Sequence, residues 1–154
     1  MRNLTSKISL MGLLFALAMA FSYLESMVTI PGMLPGIRLG LSNLVTMYCL
    51  FFLGKGAGYT MAVMKSLFVL LTRGFVAGLL SLSGGILSVT AILLVDWLTK
   101  RTLHYITLSV LGAVFHNVGQ LILARFLTSV FLYYYIPVLI LSGLVVGMLT
   151  GKIF

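Results

Sequence analysis

The chain is a succession of long uncharged runs. Residues 8–24, 39–54, 74–95, 102–124 and 126–151 contain no Asp, Glu, Lys or Arg, and 56–72 is interrupted only by Lys65. A helix that crosses a bilayer needs about 20 mostly apolar residues, each rising roughly 1.5 Å. Six such segments leave little chain for anything else. Hydrophobic residues make up 61% of the 154 positions and charged residues 8%, whereas soluble domains carry about 25% charge. A water-soluble fold of this size cannot hide so much apolar surface. The sequence therefore predicts an all-α polytopic membrane protein, a six-helix transmembrane bundle forming one domain over residues 1–154. The spans are expected at 8–25, 38–54, 57–73, 83–100, 106–128 and 131–151. The second and third are short, so residues 38–73 either cross the membrane twice or reverse within it.

Turn chemistry marks the breaks. PGMLPG at 31–36 ends a helix, and Gly54-Lys55-Gly56 makes a tight turn. Leu80 to Gly85, LSLSGG, reads as a flexible entry to the fourth helix, and Lys100-Arg101 closes it. The beginning imitates a signal peptide, since Arg2 and Lys7 precede an apolar run containing Ala18-Met19-Ala20. Five further apolar segments favour a retained first helix.

The net charge of +8 comes from ten basic residues against two acids, Glu25 and Asp96. The basic residues stand singly between apolar runs and form no basic face, which argues against nucleic acid and for membrane-flanking charge. An inside N-terminus gathers Arg2, Lys7, Lys55, Lys100, Arg101 and Lys152 on the cytoplasmic side, with Arg38, Arg73 and Arg125 outside. The bias favours a multi-pass protein of the cell membrane with both termini cytoplasmic. Cys49 is the single cysteine, so no disulfide framework exists, and its apolar neighbours mark it as inert packing.

Helices associate in lipid through small residues and occasional polar bridges. Gly143, Gly147 and Gly151 form one stripe at spacing four, Ser109, Gly112, His116 and Gly119 line a similar face, and Ala16 and Ala20 are again four apart. Internal packing is the plain reading of these stripes.

Polar groups in the hydrocarbon region must be paired or face a cavity. His116, Asn117 and Gln120 form the richest cluster. It either grips a polar ligand or ties helices together, and both readings stand on sequence alone. Lys65 lies near the middle of the third span with no acid in its own helix, eight residues before Arg73. Glu25 and Arg38 bracket the double Pro-Gly loop, either latching it over a site or standing as solvated flank charges. Asn43 opens the second helix, and Asp96 is most simply a local partner for Lys100 and Arg101. Trp97 and Tyr133 to Tyr135 fit aromatic belts at the headgroup level.

The chain has no Walker A sequence, paired catalytic carboxylates, HExxH or Cys/His cluster, and only two histidines, His104 and His116. Neither a metal site nor an independent enzyme is expected, and no cofactor is implied.

Four segments carry a family resemblance: Pro35 to Asn43 (PGIRLGLSN), Ser81 to Gly85 (SLSGG), Gly112 to Gln120 (GAVFHNVGQ) and the stretch from Leu139 to Gly151. In these the chain resembles the Gx transporter family, long labelled component I of heptaprenyl diphosphate synthase. That family is itself similar to the substrate-binding S components of energy-coupling factor (ECF) transporters. The resemblance implies a six-helix bundle that binds a vitamin-like molecule from outside and works with a membrane coupling subunit and two cytoplasmic ATPases. It also implies that Ala16 and Ala20 dock the coupling subunit. A site in the outer half is then expected beneath the 26–38 loop. Arg38 and Lys65 would meet an anionic or phosphate-bearing ligand, with Asn43, Ser83, the Gly84-Gly85 backbone, His116, Asn117 and Gln120 around it. The alternative is a membrane accessory that presents an isoprenoid precursor to a soluble prenyl-transfer enzyme.

Overall fold

The computed structural model describes residues 4–27, 40–100, 103–127 and 136–153. Six helices follow one another: α1 (Leu4–Met27), α2 (Asn43–Leu53), α3 (Lys55–Arg73), α4 (Phe75–Leu98), α5 (Tyr105–Leu127) and α6 (Ile136–Ile153). No strand occurs among the described residues. The all-α bundle expected from the uncharged runs is what the chain forms.

Two glycines set the topology of its centre. Gly54 (φ 103, ψ 175) and Gly74 (φ 92, ψ 173) each make the whole connection between two helices. A Cβ at either position would meet nothing within 4 Å. It is therefore the backbone conformation, open without strain only to glycine, that requires the residue.

Gly74 also corrects a boundary. α4 begins at Phe75 rather than at 83, and Leu80 to Gly85 lie in its interior. Ser and Gly inside a helix normally cost roughly 0.5–1 kcal/mol each; here close packing outweighs that cost. The Ser83 hydroxyl donates to the carbonyls of Leu80 (3.1 Å) and Gly119 (3.0 Å), crossing from α4 to α5. A Cβ on Gly84 would come within 2.7 Å of the His116 carbonyl oxygen, and one on Gly119 within 2.9 Å of Gly84 Cα. Gly85 faces Ala62 of α3 in the same way, at 3.1 Å.

The Gly143, Gly147 and Gly151 stripe is internal. Added Cβ atoms on Gly147 and Gly151 would run into the backbone of Val110 and Ile106 on α5, and one on Gly143 would lie 3.1 Å from Asn117 Nδ2. Without side chains on one helix the two backbones approach closely, which is how helices gain dispersion energy where lipid offers no hydrophobic drive.

Three apolar clusters fill the remaining interfaces. Leu14, Ala18, Val45, Cys49 and Met61 join α1, α2 and α3. Met47, Leu50, Val89, Ile92 and Leu108 join α2, α4 and α5, and Leu80, Ala124 and Leu139 join α4, α5 and α6. The outer surface is equally apolar: Leu13 is 68% exposed, Leu71 82% and Phe126 83%. Large apolar side chains turned outward on every long helix mean that the surrounding solvent is hydrocarbon.

Length and composition qualify Thr5–Glu25 within α1, all of α4 and all of α5 as membrane-crossing segments. α2 is different. It starts at Asn43 rather than at 38, and its last turn, Cys49–Leu53, is π-helical. Its eleven residues, Asn43–Leu53, reach roughly 16 Å, about half of a hydrocarbon core near 30 Å.

Candidate functional site

The polar side chains that the sequence singles out divide among separate places, and one cluster contains a buried ammonium with no hydrogen-bond partner among the described residues. It begins at the N-terminus of α2. A helix leaves its first N–H groups unsatisfied, and the turn that opens α2 is held by Asn43 N–H donating to the Gly40 carbonyl at 2.9 Å. The groups left over are answered from α1. One Glu25 carboxylate oxygen accepts the N–H of Gly40 (2.5 Å) and of Leu41 (2.8 Å), and the Ser42 hydroxyl reaches the other oxygen at 3.4 Å. Glu25 is buried and acts as an anionic cap supplied by another helix.

One turn back on α1, the Ser22 carbonyl accepts a hydrogen bond from the Arg73 guanidinium at the end of α3. α1 is otherwise loosely held, with 22% of its span buried against 44% for α4 and α5. These polar contacts are its ties to α2 and α3 at this end of the bundle.

Lys65 lies behind Glu25. It is 1% exposed, and its ammonium has no hydrogen-bond partner among the described residues. It faces a cavity of about 20 Å³ that it shares with Ser22 and Glu25 of α1, Ser42 before α2, Ser81 of α4, and His116 and Gln120 of α5. Such a space holds about one water molecule. The His116 ring lies under Gly40 and against Gly84, with its Nε2 2.9 Å from the Gln120 amide nitrogen one turn on. Lys65 and Glu25 line the cavity and Arg73 bonds Ser22 beside it, so the described charges at and beside the cavity sum to one positive. The site thus offers an ammonium, hydroxyls, an imidazole and an amide, a set suited to hydrogen bonding around an anionic group.

The other expected site residues go elsewhere. Asn117, although adjacent to His116, points into the α5–α6 seam, where its amide donates to the Leu139 carbonyl at 2.6 Å. Asn43 donates to Ser88 at 3.3 Å, joining α2 to α4. The Ser83 hydroxyl is spent on the α4–α5 crossing, and Gly85 serves the α3–α4 contact. Of the expected set, Lys65, His116 and Gln120 come together, with Gly84 making room for the ring. Arg38 and residues 28–38 of the expected lid lie outside the described residues.

The sequence does not single out Ser22, Ser42 or Ser81 as site residues, and it leaves Glu25 open between a latch on the Pro-Gly loop and a solvated flank charge; the structure buries it against Gly40 and Leu41. The Ser22 and Glu25 spacing of three, which puts both on one helix face, was the available signal. On the outer side of α1, Ala16 and Ala20 are exposed, and Gly12, one turn earlier, has nothing within 4 Å of an added Cβ.

Fold and site together define a helical membrane protein with a small polar chamber at one end of its bundle. The chain belongs to the family described as heptaprenyl diphosphate synthase component I, whose model matches residues 14–154. No curated protein and no solved structure matches it.

Proposed function

We propose that the protein is a substrate-capture subunit of an energy-coupling-factor-type uptake transporter, binding a vitamin-like or phosphate-bearing molecule at the Lys65 chamber. The observation that carries this reading is Lys65 itself, a buried ammonium with no hydrogen-bond partner among the described residues. An ionisable group at such depth is costly, and a chain that keeps one there has a use for its charge. An anionic ligand supplies the missing partner and neutralises the excess positive charge around it. The chamber lies at the end where Arg73 closes α3, the outside in the orientation with both termini in the cytoplasm. Entry from outside, and an opening of the chamber wide enough for the ligand, belong to the same proposal.

Binding asks for no covalent chemistry, so the chain acts as a receptor rather than an enzyme. Accumulation against a gradient requires an energy source, assigned here to a membrane coupling subunit and two cytoplasmic ATPases. The exposed Gly12, Ala16 and Ala20 face of α1 is the surface offered to the coupling subunit.

Native mass spectrometry of gently purified protein tests the reading. The wild type should carry a small anionic molecule, and Lys65→Met should lose it. A charge-assisted hydrogen bond is worth about 1.5–3 kcal/mol, so affinity should fall roughly 10- to 150-fold. A wild type that carries no such molecule, yet stimulates a soluble prenyl-transfer enzyme, would replace this reading with the accessory role that the family description suggests.

A further inference from the structure

The end of the bundle away from Lys65 holds a larger space. Between the end of α2, the end of α4 and the start of α5 lies a cleft of about 360 Å³, within the range of small-molecule sites. Its floor is apolar, made by Leu50, Ile92 and Leu108, and one wall is the Phe51–Tyr105 pair with ring centroids 5.2 Å apart. Lys55 and Asp96 stand at its edge, Lys55 exposed. Lys100, four residues after Asp96, is exposed at the same end.

The level of this rim in the membrane is fixed independently. Trp97 is 74% exposed and Tyr105 47%, and such outward amphipathic rings sit where hydrocarbon meets headgroups. The charged rim is therefore at headgroup depth, with the apolar floor below it. A water-soluble solute would waste that floor, and a plain hydrocarbon would leave Lys55 unanswered. A chain that moves from lipid into the cleft gains little, because it exchanges one apolar environment for another. Selection must come from the head.

We propose that this cleft binds a phosphate-headed amphiphile, with its chain on the Leu50, Ile92 and Leu108 floor and its phosphate against Lys55. Lysine is a compact point charge well matched to a phosphate, and basic pockets between membrane helices hold anionic headgroups in this way. The same chemistry is presented by an anionic phospholipid and by a prenyl diphosphate. The site is separate from the Lys65 chamber and stands or falls independently of it.

The test uses the full chain in nanodiscs of phosphatidylcholine with a minor fraction of phosphatidylglycerol, released gently for native mass spectrometry. Retained phosphatidylglycerol should be enriched about tenfold over its share of the bilayer, equivalent to about 1.4 kcal/mol. Lys55→Glu, at an exposed position, should return the ratio to that of the bulk, and Leu93→Trp should lower total retention by filling the cleft. Thermal melts would confirm that both variants are folded. Farnesyl diphosphate added in a second arm identifies the source: displacement of the lipid marks an isoprenoid site, and no displacement marks a phospholipid site. Retention that simply follows bulk composition, is indifferent to Lys55→Glu and is matched by no binding of farnesyl diphosphate would overturn the proposal.

Discussion

Glu25 and Lys65 line one chamber without touching, and a double-mutant cycle measures what they do to each other. Glu25→Gln keeps the shape and one accepting oxygen for the Gly40 and Leu41 N–H groups, at 2.5 and 2.8 Å, but removes the charge. Hydrogen bonds to charged groups contribute about 1.5–3 kcal/mol and neutral ones about 1, so the cap alone should weaken by roughly 1–2 kcal/mol. Removing the charge also withdraws a counter-ion from Lys65. Two unit charges 4 Å apart attract by about 4 kcal/mol at an effective dielectric near 20, an upper bound for two groups that form no ion pair. With about 1–3 kcal/mol of that attraction realised, Glu25→Gln should cost about 2–5 kcal/mol in all. Lys65→Met loses the same attraction but also relieves an ammonium whose desolvation costs several kcal/mol, so it should be near neutral or stabilising. The pair should be non-additive, Glu25→Gln costing about 1–3 kcal/mol less in the Lys65→Met background. Cys49, fully buried, offers the readout: a maleimide dye reports unfolding as the thiol becomes accessible. Additivity within about 0.5 kcal/mol would refute the electrostatic link. A Lys65→Met protein that melts higher but retains no ligand would show a charge kept for binding at the expense of stability.

Gly12→Ala and Gly147→Ala should have opposite signs in the same thermal assay. The first adds a methyl where nothing lies within 4 Å and should gain up to about 1 kcal/mol of helix propensity, while the second forces α6 off the Val110 backbone and should lose about 1–3 kcal/mol. Asn117→Ala should cost roughly 0.6–1.7 kcal/mol through its lost bond to the Leu139 carbonyl and leave retention of the small molecule unchanged. Loss of the ligand from a folded Asn117→Ala protein would bring that residue back into the binding site.

The helix count was legible because hydrocarbon demands long uncharged runs, and each run in the sequence contributes a helix among the described residues. The α6 glycine stripe was legible too, since spacing four leaves few alternatives to close packing. The α4 boundary was hidden. LSLSGG has the composition of a loop, whereas the actual turn is the single Gly74 between Arg73 and an apolar residue, and only the neighbours of Ser83 and Gly84 make a helix interior the better state. The site was half visible. His116 and Gln120 share a face at spacing four and do meet, but Asn117 lies about 100° round the helix and faces α6 instead. That Glu25 turns inward to cap α2, 15 residues on at Gly40, depends on tertiary approach that no local pattern records.

The short α2 has a consequence for the interior around it. α4, with 24 residues, extends about 36 Å, while α2 reaches less than half of that. A helix that stops at such depth against lipid would leave its terminal backbone groups in hydrocarbon. α2 is instead walled in by its neighbours, with Asn43, Val45, Thr46, Met47, Cys49 and Leu50 buried, so its shortness is felt by the other helices rather than by lipid. The N–H groups of Gly40 and Leu41 are met there by the Glu25 carboxylate, and a polar helix start is kept inside the bundle beside Lys65.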